Sequence, residues 1–129
     1  MRNLYVLIIA LCVAVAITIY PSCTKDYFEP VEIDIPDTVS FSQYIIPIFS
    51  EHCAISGCHE TGGVAPDLTP DNAWSDLWLY GFVDTTSPPS SELYERMISN
   101  SEPMPPSGKL TGGQDQLVLA WIEQGALDN

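Results

Sequence analysis

Cations are scarce in this chain. Lys and Arg together number 4 against 17 Asp and Glu, for a formal net charge of −13. That imbalance excludes nucleic acid as a natural partner, because like charges repel. An apolar run of membrane-spanning length is also missing. The longest, Leu4 to Tyr20 in MRNLYVLIIALCVAVAITIY, falls short of the roughly 20 residues that a transmembrane helix needs. Behind Arg2 it reads instead as an export signal covering residues 1–22. Strand signals are lacking too, since no segment of strand length after residue 38 alternates strictly between apolar and polar. Cysteine is confined to four positions: Cys12 in the leader, Cys23 directly after it, and the pair Cys53 and Cys58. With 129 residues, the chain holds one small domain and not two.

The junction PSCTKD places a small residue before Cys23 and resembles the lipobox of bacterial lipoproteins, in which the cysteine is lipidated and becomes the first residue. Tyr20 and Pro21 depart from that pattern, which otherwise has Leu and a small residue there. The alternative, a disulfide at Cys23, would need Cys12 from the leader or one of the clustered pair. Without the leader the chain keeps 3 basic residues against 17 acidic ones, a charge that keeps a domain soluble beside its anchor and steers it toward basic patches. Thr24 and the Lys25–Asp26 pair resemble the start of lipoproteins passed to the outer membrane.

Residues 24–38, TKDYFEPVEIDIPDT, carry five acids and two prolines with no helical period. With Cys23 they read as an acidic tether over 23–38. Val31, Ile33 and Ile35 alternate with acids, which permits a short edge strand. The folded unit is expected over 39–129. Within it, Phe41, Ile45, Ile46, Ile48 and Phe49 recur at helical spacing up to Cys53, with Pro47 tolerated in a first turn or at a kink. Thr69 and Pro70 open a second helix over 70–80. Leu93, Tyr94, Met97 and Ile98 mark a third. Thr111 and Gln114 are spaced as a capping box for a last helix over 113–124. The expected fold class is therefore all-α. Four helices in about 90 residues bury a small core, and domains of that size often lean on a metal, a disulfide or a cofactor.

The place for one is CAISGCHE, where Cys53, Cys58 and His59 fall within seven positions. A haem c is held by thioether bonds from two cysteine sulfurs, and the next residue's imidazole reaches the iron; C-x-x-C-H meets that geometry. Here four residues separate the cysteines, so the backbone must bulge, and Gly57 eases the bulge. Longer C-x4-C-H variants occur among c-type cytochromes. Two other readings use the same residues. A Cys53–Cys58 disulfide suits an oxidising envelope but leaves His59 as coincidence. Zinc on Cys53, Cys58, His59 and His52 would need ligands adjacent in sequence to converge on one tetrahedron. A six-coordinate haem also needs a second axial ligand, and a thioether suits it because soft sulfur favours ferrous iron. Met1 belongs to the leader and Met97 to a helical apolar face. Met104 stands in SEPMPPSGKL, a loop stiffened by Pro103, Pro105 and Pro106.

The order FSQYIIPIFSEHC, CH, APDL, SELYERM, MPPSGKLT and LVLAWIEQGA resembles the small class I c-type cytochrome domains of bacterial envelope lipoproteins, over residues 39–129. The resemblance implies a class I cytochrome c-like helical domain around one covalently bound haem c. Cys53 and Cys58 would attach it, His59 and Met104 would be the iron's axial ligands, and the Pro66 carbonyl would accept the His59 ring N–H. The first and last helices would cross, with Phe49 and Trp121 as contacts. The function implied is single-electron transfer to or from a redox partner with a basic patch. The protein would be a monomer, exported and lipid-anchored in the outer membrane, facing the periplasm or the cell surface, and not an enzyme. Two rivals stay open. One is a five-coordinate haem peroxidase or gas-binding protein, for which His52 and Arg96 are the obvious distal groups, although neither is near Met104 in sequence. The other is a non-haem, disulfide-closed lipoprotein binding module.

Overall fold

The computed structural model describes residues 34–110 and 112–129, together with Tyr5. The chain divides into two compact units, Met1–Pro30 and Val31–Asn129. The signal segment, the lipidation residue Cys23 and the tether up to residue 33 lie outside the described residues, apart from Tyr5.

Among the described residues the fold is all-α, with no strand. It has four helices: α1 (Ile46–His52), α2 (Ala73–Leu79), α3 (Glu92–Ile98) and α4 (Gln114–Glu123). A π turn, Phe41–Ile45, runs directly into α1, and a 3-10 turn, Pro88–Ser90, precedes α3. The expected edge strand is not formed where it is described: Ile35 lies in irregular backbone and is exposed, and Val31 and Ile33 fall outside.

The π turn explains how Pro47 is carried. Proline has no N–H to return to residue 43, and its ring crowds that residue's carbonyl. The wider turn directly ahead, closed by Ile46 N–H on Phe41 O, precedes the proline, which then occupies the first turn of α1. Ser40 starts the segment, its hydroxyl accepting the Gln43 N–H at 3.3 Å.

Phe41, Ile45, Ile48 and Phe49 from this first segment are buried with Val118, Ala120, Trp121 and Ile122 of α4. First and last helical segments thus pack together, but through Phe41. Its ring stacks on Trp121 at 5.0 Å and meets Phe49 edge-on at 6.3 Å, so it stands as the link between the two side chains expected to touch. Leu68, Ala73, Leu77, Val83 and Met97 complete the core. Two indoles are pinned by backbone acceptors, Trp121 by Leu127 O at 2.9 Å and Trp74 by Ala126 O at 2.8 Å. The entering backbone is also clasped. Val39 N–H donates to Gln124 Oε1 at 2.7 Å, Phe41 N–H to Asn129 Oδ1 at 2.8 Å and Ser42 N–H to Asn129 O at 2.9 Å.

Two helix starts differ from expectation. Thr69 does not cap α2 with its hydroxyl, which donates to Asp67 Oδ1 at 2.6 Å. Its carbonyl instead accepts the Asn72 and Ala73 N–H groups, so a turn over 69–72 leads into a helix three residues shorter at its start. The capping box expected at α4 rests on Thr111, which lies outside the described residues. Gly113, in the left-handed region, is the residue before the helix, which puts Gln114 at the first helical position. Its amide is used elsewhere: Gln114 Nε2 lies 3.2 Å from His52 Nε2 and ties the start of α4 to the end of α1.

Candidate functional site

α1 delivers the chain to Cys53, whose N–H still bonds Phe49 O at 2.8 Å. In an uninterrupted helix the next donor onto the Cys53 carbonyl would come four residues later. Here it comes six residues later, from His59 N–H at 3.1 Å. The residues between are looped out. Cys58 N–H turns back onto Ile55 O at 2.9 Å, and Gly57 takes a φ of 81°, a conformation open to glycine at low cost. In C-x-x-C-H the histidine stands four residues after the first cysteine, so a helical hydrogen bond joins the same two backbone groups. The two additional residues of CAISGCH bulge away and leave the Cys53–His59 closure in place.

The imidazole of His59 is oriented by backbone. Its Nδ1 lies 3.0 Å from Pro66 O and 3.1 Å from Val64 O. Carbonyls only accept, so Nδ1 carries the proton and, in the neutral ring, Nε2 keeps the lone pair. A ring nitrogen held this way is the arrangement that fixes a metal-ligating histidine in one tautomer. Leu68 N–H bonds His59 O at 2.8 Å and Val64 N–H bonds Cys58 O at 2.8 Å, so residues 58–68 close a compact loop around the histidine. The Pro66 acceptor stands where the sequence resemblance places it. The Val64 acceptor has no sequence signal, because any residue supplies a carbonyl.

Gly63 makes that loop feasible. A Cβ there would lie 2.3 Å from Cys58 O and 3.0 Å from Glu60 O, both backbone atoms that cannot swing aside. Gly63→Ala is therefore expected to open the loop, costing about 2 kcal/mol or more as backbone strain. A drop in thermal midpoint together with lost protection of the Val64 and Leu68 amides from hydrogen exchange would check it.

Cys53 and Cys58 are both free thiols, each partly buried. Burial first, and the neighbouring Cys58 second, push the Cys53 thiol up to about 11 from an ordinary 9.0. It is therefore protonated at neutral pH, and the thiol form is a poor partner in disulfide exchange. Because the folded state holds this proton more tightly than the unfolded state, stability is full below pH 9 and declines as pH rises toward 11. With both cysteines free, the thermal midpoint is expected to fall over that window, and Cys53→Ser should flatten the fall. Among the described residues no three His, Cys, Asp or Glu side chains come together to hold a metal ion.

Met104 and Met97 occupy different surroundings. Met97 is buried in the core, as its helical position predicts. Met104 is 39% exposed and held through its backbone, its N–H donating to Arg96 O at 2.9 Å. Although eight residues apart in sequence, Arg96 and Met104 are thus neighbours. The Arg96 guanidinium is taken up by Glu102 at 2.7 Å and Glu92 at 3.4 Å. The Ser99 hydroxyl accepts the Glu102 N–H at 3.0 Å, closing the loop that carries Met104. A cleft of about 260 Å³ lies elsewhere, beside Asp37, Val39, Trp121 and Asn129, and none of Cys53, Cys58, His59 and Met104 lines it. No helix among the described residues is long and apolar enough to cross a membrane.

None of the family models, curated proteins or solved structures compared with the chain matches it.

Proposed function

We infer that the chain is a haem c electron carrier of the bacterial cell envelope, anchored by lipid on Cys23. The observation that carries the reading is the fixed His59 ring: Nδ1 on the Pro66 and Val64 carbonyls, on a loop whose backbone closes His59 onto Cys53 across a C-x4-C-H spacing. Cys53 and Cys58 would hold haem covalently, and His59 through Nε2 and Met104 through its thioether would ligate the iron; the thiols' placement beside a histidine whose Nδ1 is held by backbone carbonyls supports that donor set. When bound, the haem supplies exchange of one electron between ferric and ferrous iron.

The protein's part would be to present an imidazole and a thioether to that group. The 58–68 loop orients the imidazole, while the 99–104 loop, closed through Ser99 and Arg96, holds Met104. The peroxidase alternative wants a free cationic or polar group on the distal side. Arg96 is next to Met104, but its guanidinium is already paired with two carboxylates, which favours the carrier. The test is a haem stain on a denaturing gel of protein exported with a cytochrome c maturation system. A stained band that partitions into detergent is expected, with Cys23→Ser failing to mature. An unstained wild-type band sinks the carrier reading, and soluble native protein starting at another residue sinks the anchor.

A further inference from the structure

We propose that the Arg96–Glu102 ion pair is a salt-sensitive latch on the loop carrying Met104, so that ionic strength regulates how often the thioether side of the site opens while the His59 side stays shut. The consequence for iron rests on the carrier reading; the latch itself does not.

Met104 is tied to the end of α3 at three points. In a continued helix the Arg96 carbonyl would take the N–H of Asn100, four positions on. Helix α3 stops at Ile98, and the Met104 N–H takes that carbonyl instead, at 2.9 Å. Ser99 Oγ gathers the chain between, accepting the Ser101 and Glu102 N–H groups at 3.3 and 3.0 Å. The third tie is ionic. Arg96 reaches Glu102 at 2.7 Å and, one helical turn back, Glu92 at 3.4 Å. One residue therefore holds the loop twice, by its carbonyl at Met104 and by its guanidinium at Glu102. Arg96 is the one Lys or Arg between Lys25 and Lys109, so no sequence neighbour can replace it.

The two sides of the site differ in what salt can reach. The Arg96 and Glu102 side chains are exposed, at 42% and 73%, and dissolved ions screen such a pair. Among the described residues the ion pairs that need no protonated histidine are the two on Arg96. His59 is held instead by neutral groups, its ring N–H on Pro66 O and Val64 O, with the Val64 and Leu68 N–H groups on Cys58 O and His59 O. Screening acts on charges and leaves those bonds as they are. Met104, at 39% exposure against 5% for Met97, also has less packing to keep it in place when the ionic tie slackens.

The experiment follows hydrogen exchange of single amides by NMR in the full mature chain, in uncharged detergent, from about 10 mM to about 1 M sodium chloride, over which the screening length falls from roughly 30 to 3 Å. Corrected for intrinsic rates, the Met104 amide is expected to exchange about threefold faster at high salt, the size of change that an exposed ion pair supports. The Val64 and Leu68 amides should not change. Arg96→Gln and Glu102→Gln should each show the fast Met104 rate already at low salt and lose the response, whereas Arg96→Lys, which keeps the charge, should keep it. In the haem-loaded chain the rate of carbon monoxide binding should follow the same pattern by the same factor. A wild-type Met104 amide indifferent to salt overturns the latch, as do Val64 and Leu68 amides that move with it. So does an Arg96→Gln chain that matches wild type at low salt. A salt-responsive amide beside a carbon monoxide rate that ignores salt overturns the link to the iron. Absence of haem by mass removes the carrier reading alone, and the exchange comparison then decides the latch.

Discussion

Cys53→Ala combined with Cys58→Ala leaves the exported chain at its polypeptide mass, whereas the wild-type chain is heavier by one haem. That is the expected result in cells carrying a cytochrome c maturation system, read by intact-mass spectrometry. The effect is all or none, because thioether bonds are the only covalent hold on the group and both sulfurs are removed. Intermediate variants refine it. Gly57→Val should reduce loading sharply without touching a cysteine. At φ 81° a β-branched residue is strongly disfavoured, and the looped-out turn that lets His59 N–H reach Cys53 O would be lost. A wild-type chain of unmodified mass closed by a Cys53–Cys58 disulfide would overturn the assignment.

Met104→Ala is expected to convert a closed haem site into an open one. With the thioether in place the haem should be low-spin in both oxidation states, bind carbon monoxide slowly and turn over peroxide negligibly. The variant should reverse each of these, with carbon monoxide binding at least tenfold faster. It should also have a lower potential, since the soft sulfur's preference for ferrous iron is gone. Met97→Leu is the matched control. Met97 is buried in the core, a volume-conserving swap there costs less than about 1.5 kcal/mol, and the haem spectrum should be almost unmoved. If Met97 governs the spectrum and Met104 does not, the ligand assignment falls while the carrier stands. A wild-type high-spin haem with peroxidase turnover removes the carrier reading.

The helices were legible because their apolar spacing reports which side meets the core: Phe41, Ile45, Ile48 and Phe49, then Leu77, then Met97, then Ala120, Trp121 and Ile122 are buried, whereas Trp78 and Ile98, spaced for the same sides, are exposed. Their starts were less legible, because a cap depends on what else competes for the side chain. Thr69's hydroxyl prefers Asp67, and Gln114's amide is drawn to His52 by a tertiary contact that local sequence does not encode. The Phe49–Trp121 contact missed its intermediary for a related reason. A π turn shifts the helical phase ahead of Pro47, and Phe41 is carried onto Trp121. At the candidate site, Cys53, Cys58, His59 and Pro66 announce themselves by residue type and order. The Val64 carbonyl, the tight fit of Gly63 and the Arg96 carbonyl on Met104 are backbone features, and backbone atoms leave no letter in the sequence.

The clasp between Val39–Ser42 and Gln124–Asn129 has a consequence in time. Its hydrogen bonds join positions 85 to 88 residues apart, so the first helical segment cannot take its final place until nearly the whole domain has been delivered. A chain crossing a membrane with its N-terminus first presents Cys53, Cys58 and His59 while Trp121 and Asn129 are still on the far side. Throughout that interval Phe41 lacks its stacking partner and the backbone of Phe41 and Ser42 lacks its acceptors. On the reading of an exported haem carrier, that order would leave the cysteine loop accessible to an attaching enzyme before the last helix packs onto the segment that carries it.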